Sequence, residues 1–271
     1  MSCLRLPALL LLAAAASRAD EPPPEEACLA FAREVEEAVR SGDGTRIGAL
    51  LDMGALIERA SPSFANGSLG AYAAGFRLAT AAGRPPSPFA AVAEAVRDGA
   101  TYTFLRLAER DGRRCARFRL ALPDGSLNYH DVFLAARGDG ARAEDVFVFL
   151  TADSVSAPLH HAYLSGLAED ADLVEALPPA ERSKVAWVPT LRAMGRAADA
   201  GDPVEVRRLF GTLPEEGRRR PAALARLLGA ARGDGEAVRI AVRACRGTRP
   251  DEPCLDFLAV DPLFSCGLFE A

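Results

Sequence analysis

From Ala27 to Arg40 the apolar residues fall at Leu29, Phe31, Ala32, Val35 and Val39, the three-and-four spacing of one helix face. Ser41-Gly42-Asp43-Gly44 ends that pattern. Ile47, Leu50, Leu51 and Leu56 continue it, which predicts a second helix over 45–60. A third helical stretch covers 68–82, closed by Pro85, Pro86 and Pro88, and a short fourth covers 89–97. The period then changes to two. Asp111-Gly112, Asp124-Gly125 and Asp139-Gly140 each sit between alternating apolar residues, the strongest short-range hairpin signal. They predict a four-stranded antiparallel meander with strands near 100–109, 114–122, 127–136 and 142–151.

Turn positions imply registers. A tight turn at Asp124-Gly125 sets Leu120 opposite Tyr129 and Phe118 opposite Asp131; one at Asp139 sets Phe133 opposite Asp145. One face would then hold Phe118, Leu120, Tyr129, Phe133, Phe147 and Phe149, with Asp131 and Asp145 diagonal within it. The other would hold Tyr102, Phe104, Arg117, Arg119 and His130. A slip of one residue would undo the sorting. Tyr129, Asp131 and Asp145 are the sharpest catalytic candidates, because an apolar surround raises a carboxyl pKa into the range useful for proton transfer. The plainer reading is that the two acids cap turns or pair with arginines. His130-Asp131 is not a dyad, since adjacent strand residues point to opposite faces.

Helices followed by an antiparallel sheet form an α+β pattern. This element order, with the runs Leu127-Asn128-Tyr129-His130-Asp131-Val132-Phe133 and Asp145-Val146-Phe147-Val148-Phe149-Leu150-Thr151, resembles the NTF2-like family. The resemblance implies a cystatin-like cone over 27–168 with a pocket between sheet and helices. Some members abstract protons with a tyrosine and carboxylates in that pocket. This implies an alternative function for the chain, a small-molecule-binding or isomerase-like domain using Tyr129 and Asp131.

Residues 180–271 read as a second, all-helical segment. Gly201-Asp202 and Gly233-Asp234 are 32 residues apart, and Gly267 follows Gly233 by 34. Helical stretches precede each glycine, and further ones follow the first two. A helix–turn–helix unit at this period resembles the tetratricopeptide repeat. Phe210 and Pro250 sit near that family's large apolar and inter-repeat proline positions, whereas Ala193-Met194 and Ala197 depart from its first-helix pattern. The resemblance implies a groove for a protein or peptide partner. The chain ends within a third repeat, with Leu263, Phe264, Leu268 and Phe269 uncapped, which suggests a sheltered final helix or a truncated product without retained function.

At the start, Arg5, the apolar run Leu6–Ala16 and Ser17-Arg18-Ala19 form a signal peptide over 1–19, too short to span a bilayer. A Pro/Glu linker follows over 20–26. The expectation is an exported protein, periplasmic or extracellular, with no membrane span after cleavage. Export permits disulfides, and Cys245 with Cys254, flanking a short turn, is the favoured pair. The net charge of −5 excludes the basic footprint of a nucleic-acid binder. Lys184 is the only lysine beside many arginines, the bias of a GC-rich bacterial gene. Three histidines and no spaced cysteine pair give no metal site, and no GxGxxG or GxxxxGK[ST] run gives a nucleotide cofactor, so no cofactor is expected. The leading expectation is a non-catalytic interaction protein of the cell envelope.

Overall fold

The computed structural model describes residues 22–62, 64, 67–83 and 85–268; the expected signal peptide and Phe269 lie outside them. Among the described residues five helices come first: α1 (Glu25–Ser41), α2 (Gly44–Leu50), α3 (Met53–Ala60), α4 (Gly67–Ala82) and α5 (Pro88–Arg97). An antiparallel sheet follows, paired in the order β1 (Thr101–Arg110), β2 (Arg113–Ala121), β3 (Leu127–Arg137), β4 (Gly140–Val148) and β5 (Asp153–Ser154). Helices α6 (Ser156–Leu167), α7 (Ala171–Ala176), α8 (Pro179–Asp199), α9 (Pro203–Thr212), α10 (Glu215–Arg218), α11 (Pro221–Ala230), α12 (Gly235–Thr248) and α13 (Pro253–Ser265) complete the described chain. The protein is α+β, with a fifth, two-residue strand beyond the four expected.

The chain forms two units. The first takes the chain up to Met53 and Pro86–Val146. In it α1 buries Phe31, Ala32, Val35 and Val39, the stripe its spacing predicts. Gly42 ends the helix at φ 68, its N–H donating to the carbonyls of Ala38 and Val39. The single helix expected over 45–60 is two. Leu51 is extended (φ −103, ψ 129) and bridges Ala143 of β4, whose carbonyl accepts the Asp52 N–H at 2.7 Å. Pairing with a strand replaces helix propagation at that point, and α3 starts afresh. Helix α1 packs on α2, α5 and β1.

The turns decide the sheet's faces. Asp111 (φ 51) and Gly112 (φ 72) are both left-handed and close a two-residue turn between Arg110 and Arg113. At the next hairpin the loop has three residues. The Gly125 N–H donates to the Leu122 carbonyl (3.0 Å), Leu122 N–H donates to Ser126 (2.9 Å), and Gly125 sits at φ 87. Pro123 supplies the fixed φ that the first central position of a type I turn needs, and Gly125 takes the left-handed bulge position. Arg119 therefore pairs with Tyr129, Phe118 with His130 and Arg117 with Asp131, one residue away from the expected register. Period-two alternation turns that single step into an exchange of faces. A bulge between Phe104 and Arg106 shifts β1 as well. One face carries Tyr102, Phe104, Phe118, Leu120, His130 and Val132; the other carries Arg106, Arg117, Asp131, Tyr129, Cys115 and Phe133.

The second unit is Gly54–Pro85 with Phe147–Ala271. It does not begin at the expected boundary near 168–180, because helices on both sides of that boundary share one core. Leu69 and Ala73 of α4 and Tyr163 of α6 are buried with Trp187, Leu191 and Met194 of α8 and Val206 of α9. Further along, α8 packs on α9 and α11, α9 on α11, and α11 on α12 and α13. The same junction chemistry recurs. Gly201 (φ 69) and Gly233 (φ 80) leave their helices left-handed. Asp202 then accepts the Glu205 N–H at the start of α9, and Asp234 accepts the Ala237 N–H at the start of α12.

Candidate functional site

The register sets Tyr129 opposite Arg119 and Asp131 opposite Arg117. Asp131 is fully buried, but between two guanidinium groups. Arg117 Nε donates to Oδ1 at 2.6 Å and Nη2 to Oδ2 at 2.8 Å, while Arg110 Nε donates to Oδ2 at 2.8 Å. A carboxylate gripped on both oxygens is a charge anchor rather than a proton-transfer group. The Asp131 and Arg117 charges stabilise each other, which raises the Arg117 pKa. Asp145 is also buried, and its Oδ1 accepts the Val146 N–H at 2.8 Å. Tyr129, half-buried beside Arg119, donates its backbone N–H to Asn128 Oδ1 at 2.8 Å. Tyr129 and Asp131 share a face, and there Asp131 is held in an ionic cluster with Arg110 and Arg117.

The opposite face holds a network the sequence reading missed. Because Asn128 Oδ1 accepts from Tyr129, its amide nitrogen is turned to His130 Nε2, 3.1 Å away. Nε2 then accepts, the imidazole proton sits on Nδ1, and Nδ1 donates to Tyr102 Oη at 3.1 Å. Burial pushes the His130 pKa down to about 4, against an upward pull from Asp131. Burial likewise holds the Tyr102 phenol well above its usual range. Tyr102 stacks on Phe118 with centroids 4.9 Å apart and lines a cavity of about 440 Å³ with Glu36, Val39, Arg40 and Val96. Glu36 is already engaged there, accepting the Phe104 N–H at 2.7 Å. Tyr102 and His130 are neutral and Glu36 is tied to the backbone, an arrangement that binds and orients.

In the helical unit a larger cavity of about 550 Å³ opens where α8 and α11 end and α9 begins. It lies in the size range of small-molecule sites. Leu150, Gly195, Asp199, Asp202, Val206, Arg226, Gly229 and Arg232 are among its walls. Arg226 is half-buried, and Nη1 donates to the Ala222 carbonyl of its own helix at 3.2 Å. Burial lowers its pKa, opposed by the charges of Asp153 and Asp199. Gly195 lets the guanidinium lie close: a Cβ there would stand 3.4 Å from Arg226 Nε.

The chain matches no known protein family, curated protein or solved structure. Function is therefore argued from geometry alone. No helix among the described residues is long and apolar enough to cross a membrane. Cys245 and Cys254 are both buried, on the successive helices α12 and α13. Burial pushes the Cys245 thiol up to about 12, which favours the protonated form and disfavours exchange. His160 is a satisfied core histidine, its Nδ1 2.9 Å from the Ala60 carbonyl.

Proposed function

We propose that the protein is an exported, non-catalytic binding protein whose helical unit is a tetratricopeptide-like stack that docks a segment of a partner protein, and whose first unit is an NTF2-like domain. The observation that carries this reading is the duplicated junction: a left-handed glycine followed by an aspartate cap, at Gly201-Asp202 and again at Gly233-Asp234, joins helices that pack on their sequence neighbours. Units that bury their faces on neighbours build extended binding surfaces. Ile240 on α12 and Val260 on α13 add exposed apolar anchors, 54% and 58% accessible. The ionic clamp on Asp131 and the neutral Tyr102–His130 pair support a binding role over a catalytic one in the first unit. The NTF2-like reading is supported by helices α1, α2 and α5 preceding an antiparallel meander.

Full-length protein immobilised on beads tests the docking. A partner retained from envelope extract should be lost with Ile240→Asp/Val260→Asp while the melting temperature holds. An unchanged bound set would refute the proposed surface.

A further inference from the structure

Four charged side chains line the 550 Å³ cavity of the helical unit: Asp199, Asp202, Arg226 and Arg232. Two are committed elsewhere. Asp202 caps α9 through the Glu205 N–H, and Arg232 pairs with Asp261 at 3.7 Å. That leaves Arg226 and Asp199 as the charges available to an occupant. Arg226 has five N–H donors, and within the protein one of them meets a backbone carbonyl. A half-buried guanidinium with spare donors on a cavity wall suits a carboxylate, which accepts two parallel hydrogen bonds from its fork. Asp199 is exposed at the last residue of α8, and Gly229 and Ala230 place the end of α11 on the same wall. Helix C-termini carry partial negative charge, so this side of the cavity suits a cation. Leu150, Val206 and Pro203 supply apolar wall.

From this polarity we infer that the cavity is a binding site for a small zwitterion of the α-amino-acid class, with its carboxylate on Arg226, its ammonium toward Asp199 and the α11 C-terminus, and an apolar side chain against Leu150 and Pro203. The site is separate from the docking surface at Ile240 and Val260, and neither depends on the other. Binding requires no bond to form or break, only displacement of solvent from a polarised, partly apolar cavity.

Calorimetric titration of the full-length protein with L-leucine, isocaproate and isoamylamine reads the three parts of this assignment. Leucine should bind, and loss of either charged end should weaken binding by about tenfold or more. In Arg226→Gln, leucine and isoamylamine should bind alike; in Asp199→Asn, leucine and isocaproate should bind alike. Gly229→Phe guards against a folding artefact. A Cβ at Gly229 meets no atom within 4 Å, so the phenyl ring can enter the cavity without disturbing the helix, and all binding should vanish at unchanged melting temperature. The assignment is overturned if leucine fails to bind at millimolar concentration, if Arg226→Gln binds leucine as the parent does, or if folded Gly229→Phe still binds it.

Discussion

Replacing Asp131 with alanine would leave Arg110 and Arg117 without the carboxylate that Nε of each holds at 2.8 and 2.6 Å. Removing one partner of a buried ion pair costs about 3–5 kcal/mol. Asp131→Ala should therefore lower the urea midpoint sharply, whereas Asp124→Ala, at an exposed turn, should move it much less. His130 gives a pH dependence with a definite sign. Its ordinary pKa is 6.5 and burial brings the folded value to about 4, so between these pH values the unfolded chain binds the extra proton. Stability is then complete above pH 6.5 and falls as pH drops toward 4, by up to roughly 3 kcal/mol from this residue. Urea melts at pH 7 and pH 5 should show the fall, and His130→Gln should shrink it to the part that His160 and His161 contribute, whose pKa values burial also lowers. Gly166 is fixed by a contact: a Cβ there would stand 2.2 Å from Tyr72 Oη, which donates to the Tyr163 carbonyl at 3.0 Å. Gly166→Ala should cost about 1–3 kcal/mol, and Tyr72→Phe in the same chain should recover part of it. Of these, an arginine partner for Asp131 was one of the sequence readings; Tyr72 and Tyr163 were not foreseeable as neighbours, because they lie 91 residues apart.

Among the elements, helices and strands were legible and register was not. Apolar spacing gave α1, α4 and α5 to within a residue or two, and the three Asp-Gly pairs placed the hairpins. The break at Leu51 was hidden because its apolar side chain fits the helical pattern; only its partner Ala143 explains the extended backbone. The expected cross-strand partners of Tyr129 and Asp131 were off by one residue on one detail, a Pro-Asp-Gly loop read as a two-residue turn. Pro123 was the available signal: it has no N–H to donate to Ser126 across a two-residue turn, and its fixed φ suits the first central position of a type I turn. Gly125 holds φ 87 whereas Gly140 has no left-handed angle, so Gly125→Ala should cost about 1 kcal/mol more in thermal melts than Gly140→Ala. The duplicated caps make a parallel case. Asp202→Ala and Asp234→Ala should each cost about 1 kcal/mol, and unequal losses would argue against equivalent junctions.

On the scale of the whole molecule, the sequence reading set an α+β segment before an all-helical one with the division near 168–180, whereas the second unit takes Gly54–Pro85 and Phe147–Ala271. The structure assigns α4 and α6 to the helical unit through their contacts with Trp187, Leu191 and Met194. Sequence periodicity cannot reveal such sharing, because each helix shows only its own apolar face. Export is expected to remove residues 1–19, and N-terminal sequencing of secreted or periplasmic protein should begin at Asp20. The central claim is that the helical unit docks a partner protein, and site-specific photocrosslinking tests it most directly. A benzophenone side chain placed at Ile240 or Val260, in the full-length protein within its own cells, should give one defined adduct to a second protein. The same probe at Asp172, exposed on α7, should give none. Absence of any adduct from positions 240 and 260, or the same adduct from position 172, would contradict the account.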